Sequence, residues 1–261
     1  MSSEALVSLA VDRAIAWITL NRPEARNAFS RDMLHQLSSH LDQVREDNHV
    51  QAVILTGTGE QAFSAGADIR ILNSSTPLEV REFARLAVQV TNKIEGLGKT
   101  VIAALNGHAL GGGLEIAEAC TLRIAVPHAQ LGHPEVRIGA LAGWGGTTRL
   151  SRLIGRGRAA ELLLTGETIS AEQACLWGLV NRVVPQKDLL DTAYAIASTI
   201  LKQSPVAVRL TWEALHRGAD LSLEESARLG ADYFGLVAAT EDFKVGTQAF
   251  LNKVEPEFSG R

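Results

Sequence analysis

The chain reads as an α/β core followed by a helical appendage. Two observations carry that reading. As far as Val184, short apolar runs alternate with stretches of three-to-four apolar spacing, and from Pro185 onward nearly every stretch is helical. No linker rich in Pro, Ser or Gly separates the parts, and no repeat of fixed residues recurs. At 261 residues and 46% hydrophobic content the chain can bury one large core, with or without an appendage.

In chain order, residues 6–11 and 14–20 suit strands and flank Asp12-Arg13, which predicts a hairpin. Residues 21–29 (NRPEARNAF) read as an exposed loop. Ser30 is placed to cap a helix in which Met33, Leu34, Leu37, Leu41 and Val44 form one apolar stripe. Residues 50–56 (VQAVILT) predict a buried strand, 57–69 a long loop, and 77–95 a polar helix. Residues 101–105 form an apolar run that breaks at Asn106-Gly107, and Gly111-Gly112-Gly113 then open the helical sequence LEIAEAC. A second glycine cluster, Gly143 to Gly146 around Trp144, precedes helices through Leu164. Residues 169–177 predict a helix capped at Ser170 and 179–184 a short strand. Helices over 187–203, 205–217, 222–239 and 241–252 complete the chain.

The totals exclude several classes. A net charge of −4 gives no general drive toward nucleic acid. The two cysteines, Cys120 and Cys175, match no metal spacing and fit a reduced compartment. The N-terminus lacks a basic flank and a long apolar segment, which argues against a signal peptide. No run approaches the ~18 apolar residues of a membrane span. A cytoplasmic protein is expected, with no metal, no membrane and no nucleic acid.

The stretch 100–136 carries the chemistry. A glycine cluster opening a helix presents free backbone N–H groups at the positive end of the helix dipole, a place for an anion or a developing oxyanion. Glu115 stands in the first turn, and Glu135 follows twenty residues later, after Pro134. Phosphate is a poor guest. Gly96-Leu97-Gly98-Lys99-Thr100 imitates a phosphate loop, but Lys93 stands where the pattern needs glycine, and the tract precedes a strand. GHALGGG does not fit the dinucleotide fingerprint either. His133 has no second histidine or cysteine at ligand spacing, so a structural or pocket-lining role is expected. Arg149, Arg152, Arg156 and Arg158 read as a solvated face or a phosphate contact. A second loop of small residues, Ser64 to Asp68, also precedes a helix. Two such loops, each offering one N–H to a single carbonyl oxygen, make an oxyanion hole.

These residues resemble the enoyl-CoA hydratase/isomerase (crotonase) superfamily over nearly the whole chain. The markers are Asn21-Arg22-Pro23 with Asn27-Ala28, then Phe63 to Ile69, then Asn106-Gly107 with Gly111-Gly112-Gly113 and Glu115. Pro134-Glu135, Gly145-Gly146-Thr147, Leu164-Thr165-Gly166 and Ala174 with Gly178-Leu179-Val180 follow in the same order. The resemblance implies a crotonase-like spiral of repeated ββα units over residues 1–200, closed by a helical C-terminal trimerisation region over 201–261. A homotrimer or a hexamer, as a dimer of trimers, and a place in fatty acid metabolism go with it.

The ligand implied is an acyl-CoA thioester, with coenzyme A as part of the substrate and no separate cofactor. The oxyanion hole falls on the N–H groups of Ala67 and Gly112. Hydratases of the family carry two glutamates at this spacing, so Glu115 is expected as general base toward the water adding to C3, and Glu135 as proton donor to C2. Arg26 and Arg70 fall near the nucleotide phosphates; Ala65, Asp68 and Ile69 border adenine and pantetheine. Phe234 and Lys253 reach the CoA of a neighbouring subunit. Thr121, Thr148, residues 140–144 and Val254 depart from the family pattern, and Trp144 adds bulk near the second glutamate. Reversible hydration of a trans-2-enoyl-CoA of short or medium chain is the expected reaction. The alternatives are a double-bond isomerase, a pathway-specific hydratase, and an RNA-binding protein on the same fold, which the acidic balance and the glutamate pair oppose.

Overall fold

The computed structural model describes residues 5–261; the first four residues of the N-terminal stretch read above lie outside the described residues. The predicted hairpin is present: β1 (Val7–Asp12) pairs antiparallel with β2 (Ile15–Leu20), and Arg13 turns the corner at φ 56°. In α1 (Arg31–Glu46) the Ser30 hydroxyl accepts the Met33 N–H at 3.2 Å, and the five apolar residues of the predicted stripe are its buried ones. β3 (Ala52–Gly57) is buried at every position. After β4 (Ala62–Ser64) come α2 (Ile69–Ser74) and α3 (Pro77–Glu95), the latter started by a Thr76–Glu79 capping box. β5 (Thr100–Leu105) and β6 (His108–Leu110) then lead into α4 (Gly112–Glu118).

The pattern repeats with β7 (Leu122–Ala125), β8 (Gln130–Gly132), a 3-10 turn at Pro134–Ile138, α5 (Gly146–Ile154) and α6 (Arg156–Thr165). β9 (Thr168–Ser170), α7 (Ala171–Trp177) and β10 (Arg182–Val183) follow. The chain finishes with α8 (Leu189–Leu201), α9 (Pro205–Gly218), α10 (Leu223–Ala238) and α11 (Glu241–Asn252).

Among the described residues, ten strands make two sheets, one in the order β1-β2-β3-β5-β7-β10 and one in the order β4-β6-β8-β9. Successive pairs β3-β4, β5-β6 and β7-β8 each put their first strand in the large sheet and their second in the small one, and a helix follows. The neighbours β3, β5 and β7 are parallel, as are β4, β6 and β8. Each repeat therefore advances both sheets by one strand, which is a spiral of ββα turns. Full burial of β3 and β5 explains their unbroken apolar sequence, since a parallel sheet covered on both faces has no polar side.

Three expectations need correction. The long loop over 57–69 contains β4, and a strand, β6, stands between the break at Asn106-Gly107 and the glycine cluster. Strands of three residues are too short for alternation to show; they exist because they pair with each other. The loop over 21–29 is not exposed throughout, because Asn27, Ala28 and Phe29 are buried. Phe29 makes a parallel bridge to Ala67, and the Asn27 side chain donates to the carbonyls of Thr58 and Ala62.

The chain forms two compact units, one ending at Tyr194 and one spanning Ala195–Arg261. In the second, α9 packs on α10, and buried Asp242 accepts the N–H groups of Ser259 (2.8 Å) and Gly260 (3.0 Å), tying the C-terminal residues to α11.

Candidate active site

The first loop, Ser64 to Asp68, is shaped by buried polar side chains. The Ser64 hydroxyl donates to the Asn27 carbonyl at 2.8 Å and accepts the Gly66 N–H at 3.2 Å. Gly66 adopts φ 92°, a region open to glycine. Phe29 donates its N–H to the Gly66 carbonyl and accepts the Asp68 N–H at its own carbonyl. A parallel bridge of this form leaves the Ala67 N–H pointing to the opposite side of the strand. Asp68 closes the loop: its carboxylate meets Arg22 Nη2 at 2.8 Å and accepts the Arg70 N–H at the start of α2. Burial pushes the Asp68 pKa up, but the bonds from Arg22 and Arg70 outweigh it and hold the carboxyl below the usual range.

The second loop is the glycine corner. Gly111 takes φ 51° and ψ −129°, and the N–H of Gly112, first residue of α4, has no partner within its own helix. Gly113 permits contact between the loops: a Cβ there would lie 2.3 Å from the Ser64 carbonyl oxygen. Ala67 and Gly112 both line one cavity of about 750 Å³. Ile69, Leu72, Val80, Phe83 and Ala84 supply apolar wall, and Glu115 and Glu135 line the cavity beside the two amides.

Every residue of α4 is buried, so Glu115 is held away from water. Its Oε1 accepts two backbone N–H groups at 2.7 Å each, from Trp144 and from Gly146 at the start of α5. Burial pushes its pKa up to about 7; the Gly146 amide and His133 act in the opposite direction, while Glu118 and Glu135 add to the rise. Glu135 stands in the first turn of the 3-10 segment after Pro134, and its Oε2 is buried without a hydrogen-bond partner. A Cβ at Gly111 would come within 2.9 Å of Glu135 Oε1, so the corner's glycine also makes room for this carboxyl.

Trp144, expected near the second glutamate, touches the first through its backbone. Its ring packs edge-on against Phe29 and Phe83 at 5.8 and 5.5 Å between centroids and covers Gly112, where a Cβ would lie 2.3 Å from Cζ3. Its carbonyl is fixed by buried Arg149, whose Nη1 donates to it at 3.1 Å while Nη2 bonds Glu95 Oε2 at 2.6 Å and Asn92 Oδ1 at 2.9 Å. The expectation of a solvated face or a phosphate contact fails for Arg149, because its helix presents it inward to α3. Sequence reasoning also passed over Glu118, one turn from Glu115, whose carboxylate bonds His133 Nε2 at 2.8 Å. The sequence carried no signal for it: Glu115 and Glu118, three residues apart, share one helix face and read as its solvated side.

Of the expected CoA contacts, Ala65 and Ile69 line the cavity, while Arg26, Asp68 and Arg70 do not. Arg26 and Arg70 are exposed, and Asp68 is engaged by Arg22. Phe234 and Lys253 belong to the second unit, where Phe234 is 65% exposed against Phe243 and Lys253 ends α11 at φ 56°. Among the described residues no group of three or more His, Cys, Asp or Glu is placed to hold a metal ion, and no helix is long and apolar enough to cross a membrane. Cys120 is buried, and burial pushes its thiol up to about 12, which keeps it in the unreactive protonated form near neutral pH.

Two amides and two carboxyls around one apolar cavity are the parts of a site that steadies an oxyanion beside acid–base groups. Residues 10–261 match the enoyl-CoA hydratase/isomerase family. The chain is 43% identical to the short-chain-enoyl-CoA hydratase of Clostridium acetobutylicum over 95% of each chain. It is 42% identical to the crotonyl-CoA hydratase of Syntrophomonas wolfei over 97% of each. The crystal structure of enoyl-CoA hydratase from Bacillus anthracis superposes with a TM-score of 0.95 at 39% identity, covering 98% of this chain and 100% of that one. The chain belongs to the enoyl-CoA hydratase/isomerase family, and its spiral is the fold of these hydratases.

Proposed function

We propose that this protein is a hydro-lyase that adds water reversibly to a trans-2-enoyl-CoA, giving the 3-hydroxyacyl-CoA. The observation that carries the reading is that Glu115, Glu135, Ala67 and Gly112 all line one cavity. The thioester carbonyl lies between the two N–H groups. Glu115, fixed through Oε1 by two backbone amides, takes a proton from the water as its oxygen bonds to C3. The C2–C3 π electrons move onto the thioester oxygen, and the two amides stabilise that enolate. The enolate collapses as Glu135 gives a proton to C2. One carboxyl has gained the proton the other has lost, so the sum is one water added. A base raised to about 7 by burial is well matched to this step near neutral pH.

The apolar walls suit the acyl chain, and Ala65 and Ile69 border the pantetheine. Arg26 and Arg70, as exposed cations, meet the CoA phosphates. The same reading includes a homotrimer or hexamer built through residues 201–261, with Phe234 and Lys253 reaching a neighbour's CoA, in a cytoplasmic fatty-acid pathway. The exposure of Phe234, Leu236, Phe250 and Leu251 supports such an assembly, since large apolar side chains left open in one chain are the kind that a second chain covers. The test is a panel of acyl-CoA thioesters followed by loss of the enoyl absorbance and product analysis, with mass measurement for the oligomer. Hydration of crotonyl-CoA is the expected outcome. Conversion of 3-enoyl to 2-enoyl esters alone means an isomerase instead.

A further inference from the structure

Behind the two proposed catalytic carboxyls lies a pair of titratable groups that the hydration step does not use. The side chains of Glu118 and His133 are 0% exposed. His133 Nε2 is 2.8 Å from Glu118 Oε1, and Nδ1 faces Glu135 Oε1 at 3.7 Å. The ring is thus strung between two carboxyls, one from α4 and one from the 3-10 turn that begins just after it. We propose that His133, as an imidazolium clamped by Glu118, is a positioning residue that holds Glu135 by its Oε1 and so sets how its carboxyl meets the substrate. The proposal rests on the hydratase reading of Glu135.

A neutral imidazole donates from only one nitrogen. With its proton on Nε2 for Glu118, the neutral ring turns a lone pair toward Glu135 Oε1 and can only accept from it; the doubly protonated ring donates to both carboxyls, and still to Glu135 Oε1 when that carboxyl carries its own proton on Oε2. The charged groups facing the ring are Glu115 and Glu118 on α4 and Glu135 on its own turn. Gly146, at the start of α5, brings no charge to it, and Arg123 on β7 is engaged behind Glu118 with the carbonyls of Ala117, Glu118 and Cys120. Burial opposes the ring's charge, but the attraction and hydrogen bond of Glu118, with Glu135, outweigh it and push the His133 pKa up to about 10. A separation of 3.7 Å is beyond a hydrogen bond, and a shift of about 0.7 Å closes it. Contacts of this kind tighten when substrate fills a site. Glu135 Oε2 has no hydrogen-bond partner, so the ring at Oε1 is the group placed to fix its orientation.

Glu118→Gln tests the proposal, because it keeps the volume and still accepts the Nε2–H but removes the charge that keeps the ring protonated. The expected result with crotonyl-CoA is a fall in kcat of about 10–100-fold, the loss a misplaced catalytic group gives. KM stays within about twofold, because the interaction lost is one of the reacting step. The kcat profile gains an alkaline limb near neutral pH that the wild type lacks. His133→Gln, which keeps an N–H donor toward Glu135, retains more kcat than His133→Leu. On the wild type, ¹⁵N chemical shifts of labelled histidine read the ring directly, and both His133 nitrogens carry protons at pH 8. A neutral His133 at pH 8 overturns the proposal even if the variants fail to fold. So does a kcat profile of Glu118→Gln that superimposes on the wild type. Absence of hydration by the wild type removes the hydratase reading and this role with it, whereas wild-type hydration with unchanged Glu118→Gln kinetics removes the role alone.

Discussion

The Trp144 N–H donates to Glu115 Oε1 at 2.7 Å, so a residue that lines the cavity also fixes the proposed base with its backbone. The Gly146 N–H adds a second bond of equal length to the same oxygen. Glu115 Oε1 is thereby occupied, which in the proposed reaction leaves Oε2 for the water.

Glu115 makes activity and stability run in opposite directions with pH. Burial lifts its pKa from 4.5 to about 7, so the fold binds this proton more tightly than the unfolded chain does. Its contribution to stability is full below about 4.5 and is lost as pH rises through about 7. At 1.36 kcal/mol per pKa unit the difference is on the order of 3 kcal/mol. The kcat/KM profile rises over the same window as the base form appears. Thermal unfolding across pH 4 to 8, compared between wild type and Glu115→Gln, checks the first trend, and the variant lacks that component.

Gly113 keeps the two amide loops together. In Gly113→Ala the new Cβ meets the Ser64 carbonyl oxygen at 2.3 Å, and backbone on both sides must give. The expected cost is about 1–3 kcal/mol of stability. Because the shift separates the Ala67 and Gly112 amides, kcat falls by about 10²–10³, as for loss of one oxyanion donor. Denaturant unfolding and steady-state rates with crotonyl-CoA measure the two effects separately.

Arg149 holds the Trp144 loop from below. Arg149→Met removes the bonds to the Trp144 carbonyl, Asn92 and Glu95 at once, and breaking a buried ion pair from one side costs about 3–5 kcal/mol. Arg149→Lys keeps the charge but not the planar fork, so it recovers only part of the loss. The midpoint of chemical unfolding ranks the three proteins.

Trp144 limits the acyl cavity. Trp144→Ala removes a ring packed on Phe29, Phe83 and Gly112, at about 3–5 kcal/mol. The space opened favours longer enoyl chains, and the ratio of kcat/KM for an eight-carbon over a four-carbon substrate rises by about tenfold or more. A ratio that stays constant means the ring does not bound the chain.

Legibility in the sequence followed length and pattern. α1 is long enough for its apolar stripe and its Ser30 cap to show, and α3 is long enough to read as a helix, though the Thr76–Glu79 box that starts it emerged only in the structure. The two loops stood out as small-residue stretches before helices, while the pairing of Glu115 with Glu135 and the choice of the Ala67 and Gly112 amides came with the family resemblance. What stayed hidden depends on tertiary pairing. The three-residue strands β4, β6 and β8 carry no period, and Asn27 to Phe29 are buried because Phe29 bridges to Ala67, far away in sequence. Arg149 and Glu118 look like surface charges until the helices bearing them are seen to be covered. Their partners, Glu95 and His133, lie on other elements.

The most direct test of the account is hydration of crotonyl-CoA by the wild type beside Glu115→Gln and Glu135→Gln, with folding checked by thermal unfolding. Glutamine still accepts the Trp144 and Gly146 N–H groups, so the site keeps its shape. The predicted result is wild-type hydration to the 3-hydroxy ester, with kcat lowered by about 10²–10⁴ in each variant. Wild-type rates in both variants contradict the two-carboxyl mechanism.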